Sequence, residues 1–412
     1  MFQDLVDNNV IVYGDFTLKS GVKSDYYVNI KKTISIPHLF NKIIDMLVTN
    51  VKRIPNYKTD YAIIGVPYSG IPFASVVASR LEIPLLLMRL EQKKYGTKQL
   101  VEGESRGRKV ILIEDVVTTG KSINETVAQL VECDLTAEYV FAIFQRGIPK
   151  FDSEIKYNYL ETHPMCLSDK LDTLKHDMLC RKVNDEFKNI FQVLNRLVKE
   201  RKSNLIVSLD FETAEEVKEF VVNYIDYFVG IKLHFDFYQS SEIADLSNFF
   251  MNIKRKTGKD FVVIDDRKYA DICTTNEKQF EATDMEICAD ICICHGVAGF
   301  EFAKKCSLPV LVVAQMSNKG NLINDEYTEA CVTAGFQHDN IIGFISQQNL
   351  GYHGGLYFKP GVNLRKVDGG DGKDQQYTGK TDGIDFYIVG RAITQSNNIK
   401  NELEFYNKEL FR

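Results

Sequence analysis

The sequence predicts two α/β units in series: a parallel sheet flanked by helices over residues 1–175, then a closed (β/α)8 barrel over residues 186–412. Three observations predict this. At 412 residues the chain is longer than one ordinary core fills. Its apolar runs are short, near-continuous and separated by helix-forming stretches, the pattern of parallel strands covered on both faces. Between 165 and 203 that rhythm stops, and a charged, strand-free segment takes over.

In the first half, "YAIIGVP" (61–67), "IPLLLM" (83–88), "KVILIED" (109–115), "AEYVFAIF" (137–144) and "EIKYNYL" (154–160) read as strands. "GKSINETVAQLVE" (120–132) reads as a helix with Ile123, Val127 and Leu130 on its apolar face. The join lies between 165 and 185, and the helix-forming run that follows opens the second unit. Eight further strands succeed one another: "LIVSLD" (205–210), "YFVGIKLH" (227–234), "DFVVIDD" (260–266), "ADICICHG" (289–296), "PVLVVAQM" (309–316), "IIGFIS" (341–346), "GLYFKPG" (355–361) and "DFYIVGR" (385–391). Eight strands alternating with helices are the count for a barrel, whose sites sit at the carboxyl ends of the strands. Those ends carry Asp210, Lys232 and His234, Asp266 and Lys268, Ser317, and Arg391.

Composition excludes several classes. The 44% hydrophobic and 26% charged content is that of a soluble globular protein, and a net charge of −6 leaves no footprint for nucleic acid or an anionic membrane. No apolar run approaches the roughly 18 residues of a membrane span. "MFQDLVDNNVIVYGDF" lacks the basic patch and apolar core of a signal peptide. The nine Cys fall mostly within apolar strands, which suits reduced thiols and a cytoplasmic location. Cys288, Cys292, Cys294 and His295 lack the paired spacing of a structural zinc site, so no protein-held metal is expected.

The densest chemistry is "DDRKYADICTT" (265–275), where a buried strand meets a crowd of charges. If the strand persists, Asp266 and Lys268, two apart, point the same way, and Lys232 and His234 repeat that spacing one strand earlier. The result is an alternating acid–base set of Lys232, Asp266, Lys268 and Asp271, each charge holding its neighbours ionised. A carboxylate fixed there repels an anionic group on a substrate until that group leaves as carbon dioxide, and an adjacent lysine then protonates the carbanion.

"SLD", "GIKLH", "DDRKYADICTT", "VAQMS", "KPGV", "QQY" and "VGRAI" occur in the order found in orotidine 5'-monophosphate decarboxylases, and residues 205–395 resemble that family. The resemblance implies a cofactor-free decarboxylase working as a homodimer. Lys268 matches the proton donor, and Lys232 and Asp266 complete its set. Asp271 and Thr275, with Ile272 beside them, match residues lent to a partner subunit's site. Asp210 and Lys232 match ribose contacts, supported by His234. Ser317 and Gln375 match contacts to the pyrimidine, and Pro360 lies in the "KPGV" turn. Gln375, Tyr377, Gly390 and Arg391 match a phosphate gripper, where barrel geometry also favours phosphate. The segment "DGGDGKD" (368–374) reads as part of its lid.

"KVILIEDVVTTGKSI" (109–123) places two acids and a small-residue turn between a strand and a helix, whose N-terminal amides suit phosphate. It is not a nucleotide P-loop, because Asp115 stands where that pattern needs Gly. With "GDFTLKSGVKSDYYVN", "GVPYSGIPFA" and "RLEQKKYGTK" it resembles the type I phosphoribosyltransferases, orotate phosphoribosyltransferases in particular, over residues 10–150. The resemblance implies that Lys19 and Tyr27 flank orotate and Tyr68 lies by pyrophosphate. Glu114 and Asp115 would meet the ribose, and Thr118, Thr119, Gly120, Lys121 and Ser122 the 5'-phosphate. Mg²⁺ would arrive with phosphoribosyl pyrophosphate. A lid over 89–105 would bring Arg89, Tyr95 and the catalytic Lys93 into the partner's site. Leu90 replaces the family's Lys, and Gln145-Arg146 replaces its Asp-Arg, leaving Arg146 as the anion contact. These departures motivate an alternative in which the first half is a noncatalytic ligand-binding or dimer-forming module. Together the halves resemble the fused uridine monophosphate synthases, whose substrates are orotate, phosphoribosyl pyrophosphate and orotidine monophosphate.

Overall fold

The computed structural model describes residues 1–17, 23–89, 100–104, 107, 109–147, 149–162, 170–172, 174, 185–352, 354–367 and 376–411. The chain forms two compact units. The first holds Met1–Met165 and His176–Lys182, the second Cys166–Lys175 and Val183–Arg412.

The first unit opens with a short helix, Phe2–Asp7, followed by a two-stranded antiparallel hairpin, β1 (Ile11–Thr17) and β2 (Lys23–Val28). The sequence reading assigned no strands there. Most of β1 is exposed, so no apolar alternation marks it. The main sheet follows: β3 (Tyr61–Gly65), β4 (Leu85–Met88), β5 (Val101–Glu102), β6 (Lys109–Val117), β7 (Thr136–Gln145) and β8 (Lys156–Thr162), in the order β5-β4-β3-β6-β7-β8. All its neighbours run parallel except β5, which pairs antiparallel with β4. The helix Lys121–Glu132 buries Ile123, Val127 and Leu130 against Val110, Leu112 and Val140, as the sequence spacing predicts. The order puts β3 and β6 at the centre, so the β6 carboxyl end meets the start of that helix.

In the second unit the helix Asp185–Arg201 leads into β9 (Leu205–Ser208), β10 (Gly230–Leu233), β11 (Val262–Tyr269), β12 (Ile291–His295), β13 (Val310–Val313), β14 (Ile341–Ile345), β15 (Leu356–Lys359) and β16 (Phe386–Val389). Each pairs parallel with the next, and β16 closes on β9. All eight predicted strands are present in one barrel. Strand-to-strand packing is tight enough at Gly343 in β14 that an added Cβ would lie 2.2 Å from the Leu356 carbonyl oxygen of β15. The helix Ala214–Tyr224 starts at a capping box, Thr213 with Glu216, which satisfies amide donors at its first turn. Five of the described cysteines, Cys288, Cys292, Cys294, Cys306 and Cys331, are buried as free thiols.

Candidate active site

The barrel's carboxyl ends enclose a cavity of about 280 Å³. It gathers Asp210, Lys232, His234, Asp266, Lys268, Ser317, Pro360, Tyr377, Gly390 and Arg391, from six strands or the loops just beyond them.

At its base lies Asp266, 4% exposed. One carboxylate oxygen accepts from the Lys232 ammonium and stands 3.1 Å from His234 Nε2. The other lies 2.8 Å from Lys268 Nζ. Burial alone would raise this carboxyl, but Lys232, His234 and Lys268 outweigh it and hold Asp266 well below the usual carboxylate range. It is therefore an anion at any working pH. Lys232 is also buried, and its ammonium lies 3.4 Å from His234. The His234 ring stacks on Phe237 at 4.9 Å, which fixes its plane. Asp210 accepts a 2.9 Å hydrogen bond from Ser208 at the end of β9.

Asp266 and Lys268 do converge, but not by the simple alternation the spacing predicts. The strand persists to Tyr269, yet Lys268 adopts φ +57°, and the pairing with β12 slips between Asp265 and Tyr269. A left-handed turn, and not the two-residue period, carries the ammonium to the aspartate.

Over the cavity's far side, Gln376 N–H donates to the Ser317 carbonyl and Thr378 N–H to the Gly361 carbonyl, at 3.3 and 2.9 Å. These bonds seat Tyr377 between the loops that follow β13 and β15. Arg391 opens a short helix straight after β16, with Gly390 before it. Gln375 lies outside the described residues, as does the 368–374 segment.

Asp271, Ile272 and Thr275 are not brought into this cavity. Asp271 and Ile272 are exposed, Ile272 by 61%, at the start of the helix Cys273–Glu281. The Asp271 carboxylate accepts from its neighbour Ile272 N–H at 2.7 Å, and Asn276 brackets its backbone.

Sequence reasoning missed Gln315, Met316 and Asn318, which also line the cavity. Gln315 and Met316 stand in "VAQMS", which starts on the last residue of β13, and Asn318 directly follows it. His295, considered in the sequence only as a metal ligand, does not line the cavity. At the end of β12, half-buried, its imidazole is held below the ordinary value by burial and by the Lys268 ammonium. Among the described residues, no group of three His, Cys, Asp or Glu is gathered that would hold a metal ion.

In the first unit, Glu114 is buried in β6, three residues before its carboxyl end. Its two oxygens accept from Asp115 N–H and the Ser122 hydroxyl, each at 3.0 Å. Burial and the adjoining Asp115 push it up to about 9. Thr118 and Thr119 are exposed in the turn that follows, Gly120 takes φ +82°, and Lys121 and Ser122 open the helix. A Cβ at Gly120 would lie 2.8 Å from the Lys150 carbonyl oxygen. Two carboxylates make too small a donor set for a divalent cation alone, and fit one that brings phosphate oxygens with it.

Arg146 leaves β7 toward the hairpin, donating to the Ser24 hydroxyl and the Tyr26 carbonyl, its guanidinium 4.5 Å from the Tyr26 ring centre. Tyr27, on the same hairpin, and Tyr68, after β3, are exposed, Tyr68 by 72%. Arg89 is held within its own chain by a forked contact to Glu102, at 3.1 and 2.6 Å, which the sequence reading did not expect. Lys19, Leu90, Lys93 and Tyr95 lie outside the described residues.

Comparison with known proteins assigns both halves. The phosphoribosyl transferase domain model matches residues 33–163, and the model of the orotidine 5'-phosphate decarboxylase / HUMPS family matches residues 203–406. The uridine 5'-monophosphate synthase of Bos taurus is 30% identical over 98% of this chain and 95% of its own. That of Caenorhabditis elegans is 29% identical over 99% and 94%. An orotate phosphoribosyltransferase of Caenorhabditis elegans is 36% identical over 35% of this chain and 63% of its own. With both domain models in series and a relative aligned along almost its full length, the chain belongs to the uridine 5'-monophosphate synthase family.

Proposed function

We propose that this chain makes uridine monophosphate in two steps. The first unit joins orotate to phosphoribosyl pyrophosphate, releasing pyrophosphate, and the barrel decarboxylates the resulting orotidine monophosphate. The observation that carries the second step is Asp266, buried between two lysines and kept ionised.

The barrel residues act as follows. Arg391, Gly390, Tyr377 and Gln375 grip the phosphate, and that remote binding energy favours closure of the loop before Tyr377. Asp210, Lys232 and His234 hold the ribose. Ser317 and Gln375 contact the pyrimidine, with Pro360 at the cavity wall. The orotate carboxylate sits against Asp266 and the partner subunit's Asp271, with Ile272 and Thr275 lent from the same loop and the helix it opens in a homodimer. As the C6–carboxylate bond breaks, its electron pair stays on carbon 6. The Lys268 ammonium stabilises that charge and delivers the proton, and carbon dioxide departs. Enzymes reach roughly 10¹⁷-fold acceleration, about 23 kcal/mol. Repulsion between two carboxylates is too small to supply that, so charge fixed before the substrate arrives and phosphate-driven closure carry most of it.

In the first unit, Thr118 to Ser122 receive the 5'-phosphate at a helix start, Glu114 and Asp115 meet the ribose hydroxyls, and Tyr68 lies by the pyrophosphate. Arg146 and Tyr27 place orotate with Lys19. Arg89, Lys93 and Tyr95 belong to a lid reaching the partner's site. Mg²⁺, carried in on pyrophosphate oxygens, would neutralise the leaving group. The decarboxylation needs no cofactor.

The test is Lys268→Ala in the full chain. Decarboxylation of orotidine monophosphate should fall by about 10³-fold or more while orotate-dependent pyrophosphate release continues. Near-normal decarboxylation would remove Lys268 from its role. Turnover of a keto-sugar phosphate in place of orotidine monophosphate would overturn the substrate.

A further inference from the structure

The left-handed turn at Lys268 needs a cause. Up to Asp265, β11 pairs regularly with β12, Ile264 with Ile291 and Asp265 with Cys292. The next pair is Tyr269 with Cys294, so four steps along β11 oppose two along β12. The extra length is a bulge, and Lys268 at φ +57° sits in it. Lysine carries a Cβ and gains nothing from that conformation. The surroundings must impose it.

Asp265 is placed to do so. It is 0% exposed and directly precedes Asp266, so its side chain leaves the strand on the opposite face. It does not line the cavity that Asp266 and Lys268 share. Its carboxylate spans the bulge: Oδ1 accepts from Arg267 N–H at 3.1 Å and Oδ2 from the Tyr269 hydroxyl at 3.0 Å. The residues on either side of Lys268 are thus tied to one buried group. The Tyr269 ring is clamped in turn, with its centre 4.9 Å from Phe302 and 6.1 Å from Phe280.

We infer that Asp265, acting with Tyr269, is a positioning residue for decarboxylation: a buried carboxylate strut that fixes the turn at Lys268 and so sets its ammonium beside Asp266. The strut works from behind the strand and touches no substrate. Burial pushes its carboxyl up to about 6, while the bonds from Arg267 N–H and the Tyr269 hydroxyl favour the ionised form that accepts them. Burial and that anion push the Tyr269 phenol up, so it keeps the proton it donates. The inference rests on the proposed role of Lys268.

Three variants in the full chain test it, read as the single-turnover rate of orotidine monophosphate decarboxylation against the Kd for uridine monophosphate. Asp265→Ala removes both bonds and should slow the chemical step about 100-fold, the scale of an ångström's misplacement of a reacting group, with Kd changed less than about threefold. Tyr269→Phe removes one bond and should slow it about tenfold. Asp265→Asn keeps the Oδ1 acceptor and offers an amide to the Tyr269 oxygen, so it should stay within about fivefold of the parent. A Kd for uridine monophosphate close to the parent's reports that the barrel of each variant is folded.

Asp265→Ala and Tyr269→Phe at the parent's single-turnover rate would overturn the inference. So would a rate and an affinity that decline together in step with thermal stability, the mark of a merely structural role. If Asp265→Ala does not fold, Tyr269→Phe decides. Lys268→Ala separates the two readings. If it decarboxylates normally, the role of Lys268 fails. If it is inactive while Asp265→Ala is fully active, only the strut fails. In the Lys268→Ala background, Asp265→Ala should add no further loss, because the two act through one ammonium.

Discussion

Asp266 is bound on one oxygen by Lys232 and His234 and on the other by Lys268, with Asp266 and Lys232 themselves buried. Removing its charge leaves the buried Lys232 ammonium without a counter-ion. Asp266→Asn should therefore destabilise the barrel by about 3–5 kcal/mol, the cost of breaking a buried pair from one side, as well as stop decarboxylation. Chemical denaturation of the variant measures the first and orotidine monophosphate turnover the second. Glu114 sits in the reverse situation, its carboxyl raised to about 9. In the proposed role it meets the ribose as an anion, and it must lose its proton to do so. Binding of phosphoribosyl pyrophosphate with Mg²⁺ should therefore tighten as pH rises from about 7.5 toward 9 and release up to one proton. The sign follows from the shift: a raised carboxyl holds its proton below 9, and the ligand favours the form that appears above it. Calorimetry in two buffers reads the proton, and Glu114→Gln should flatten the dependence. Lys232 and His234 were legible in the sequence because two residues on one strand share a face. Lys268 was legible as chemistry but not as geometry. Asp265 was not legible at all, since its partner Tyr269 is identified by a bulge that no one-dimensional period records.

At the scale of elements, the parallel strands of both sheets could be read because buried parallel strands are apolar along their whole length, whereas the two-residue antiparallel β5 fell in the segment read as a lid. Every one of the eight barrel strands is fully buried over most of its residues. The β1–β2 hairpin could not be read, because its exposed faces leave no apolar pattern, and pairing alone makes it a sheet. The turn from β6 into the helix Lys121–Glu132 is the element on which the chemistry proposed for the first half depends. Gly120 there has φ +82° and no space for a Cβ against Lys150. Gly120→Ala should shift the helix start and cost about 1–2 kcal/mol of local stability. The expected outcome is a KM for phosphoribosyl pyrophosphate raised about tenfold, with orotidine monophosphate decarboxylation unchanged. An unaltered KM would separate this helix start from the 5'-phosphate.

Across the whole molecule, the barrel cavity holds the lysines and Asp266 but not Asp271, which stands exposed on the rim beside Ile272. Within one chain the proposed set of four charges is therefore one short. A homodimer supplies the missing carboxylate if the loop after β11 crosses to a twin subunit, an isologous exchange in which each copy lends what it receives. Mixing two inactive variants tests this directly. Lys268→Ala and Asp271→Ala, refolded or co-expressed together, form hybrids in which one site combines an intact Lys268 with the partner's Asp271, while the other site carries both defects. With random pairing, half the dimers are hybrids with one working site of two, so roughly a quarter of the parent decarboxylation should return. Dilution below the dimer's dissociation constant should remove it again. Hybrids verified by differential tagging that stay inactive would mean that Asp271 serves its own chain, and that the loop must fold inward on closure to reach Asp266.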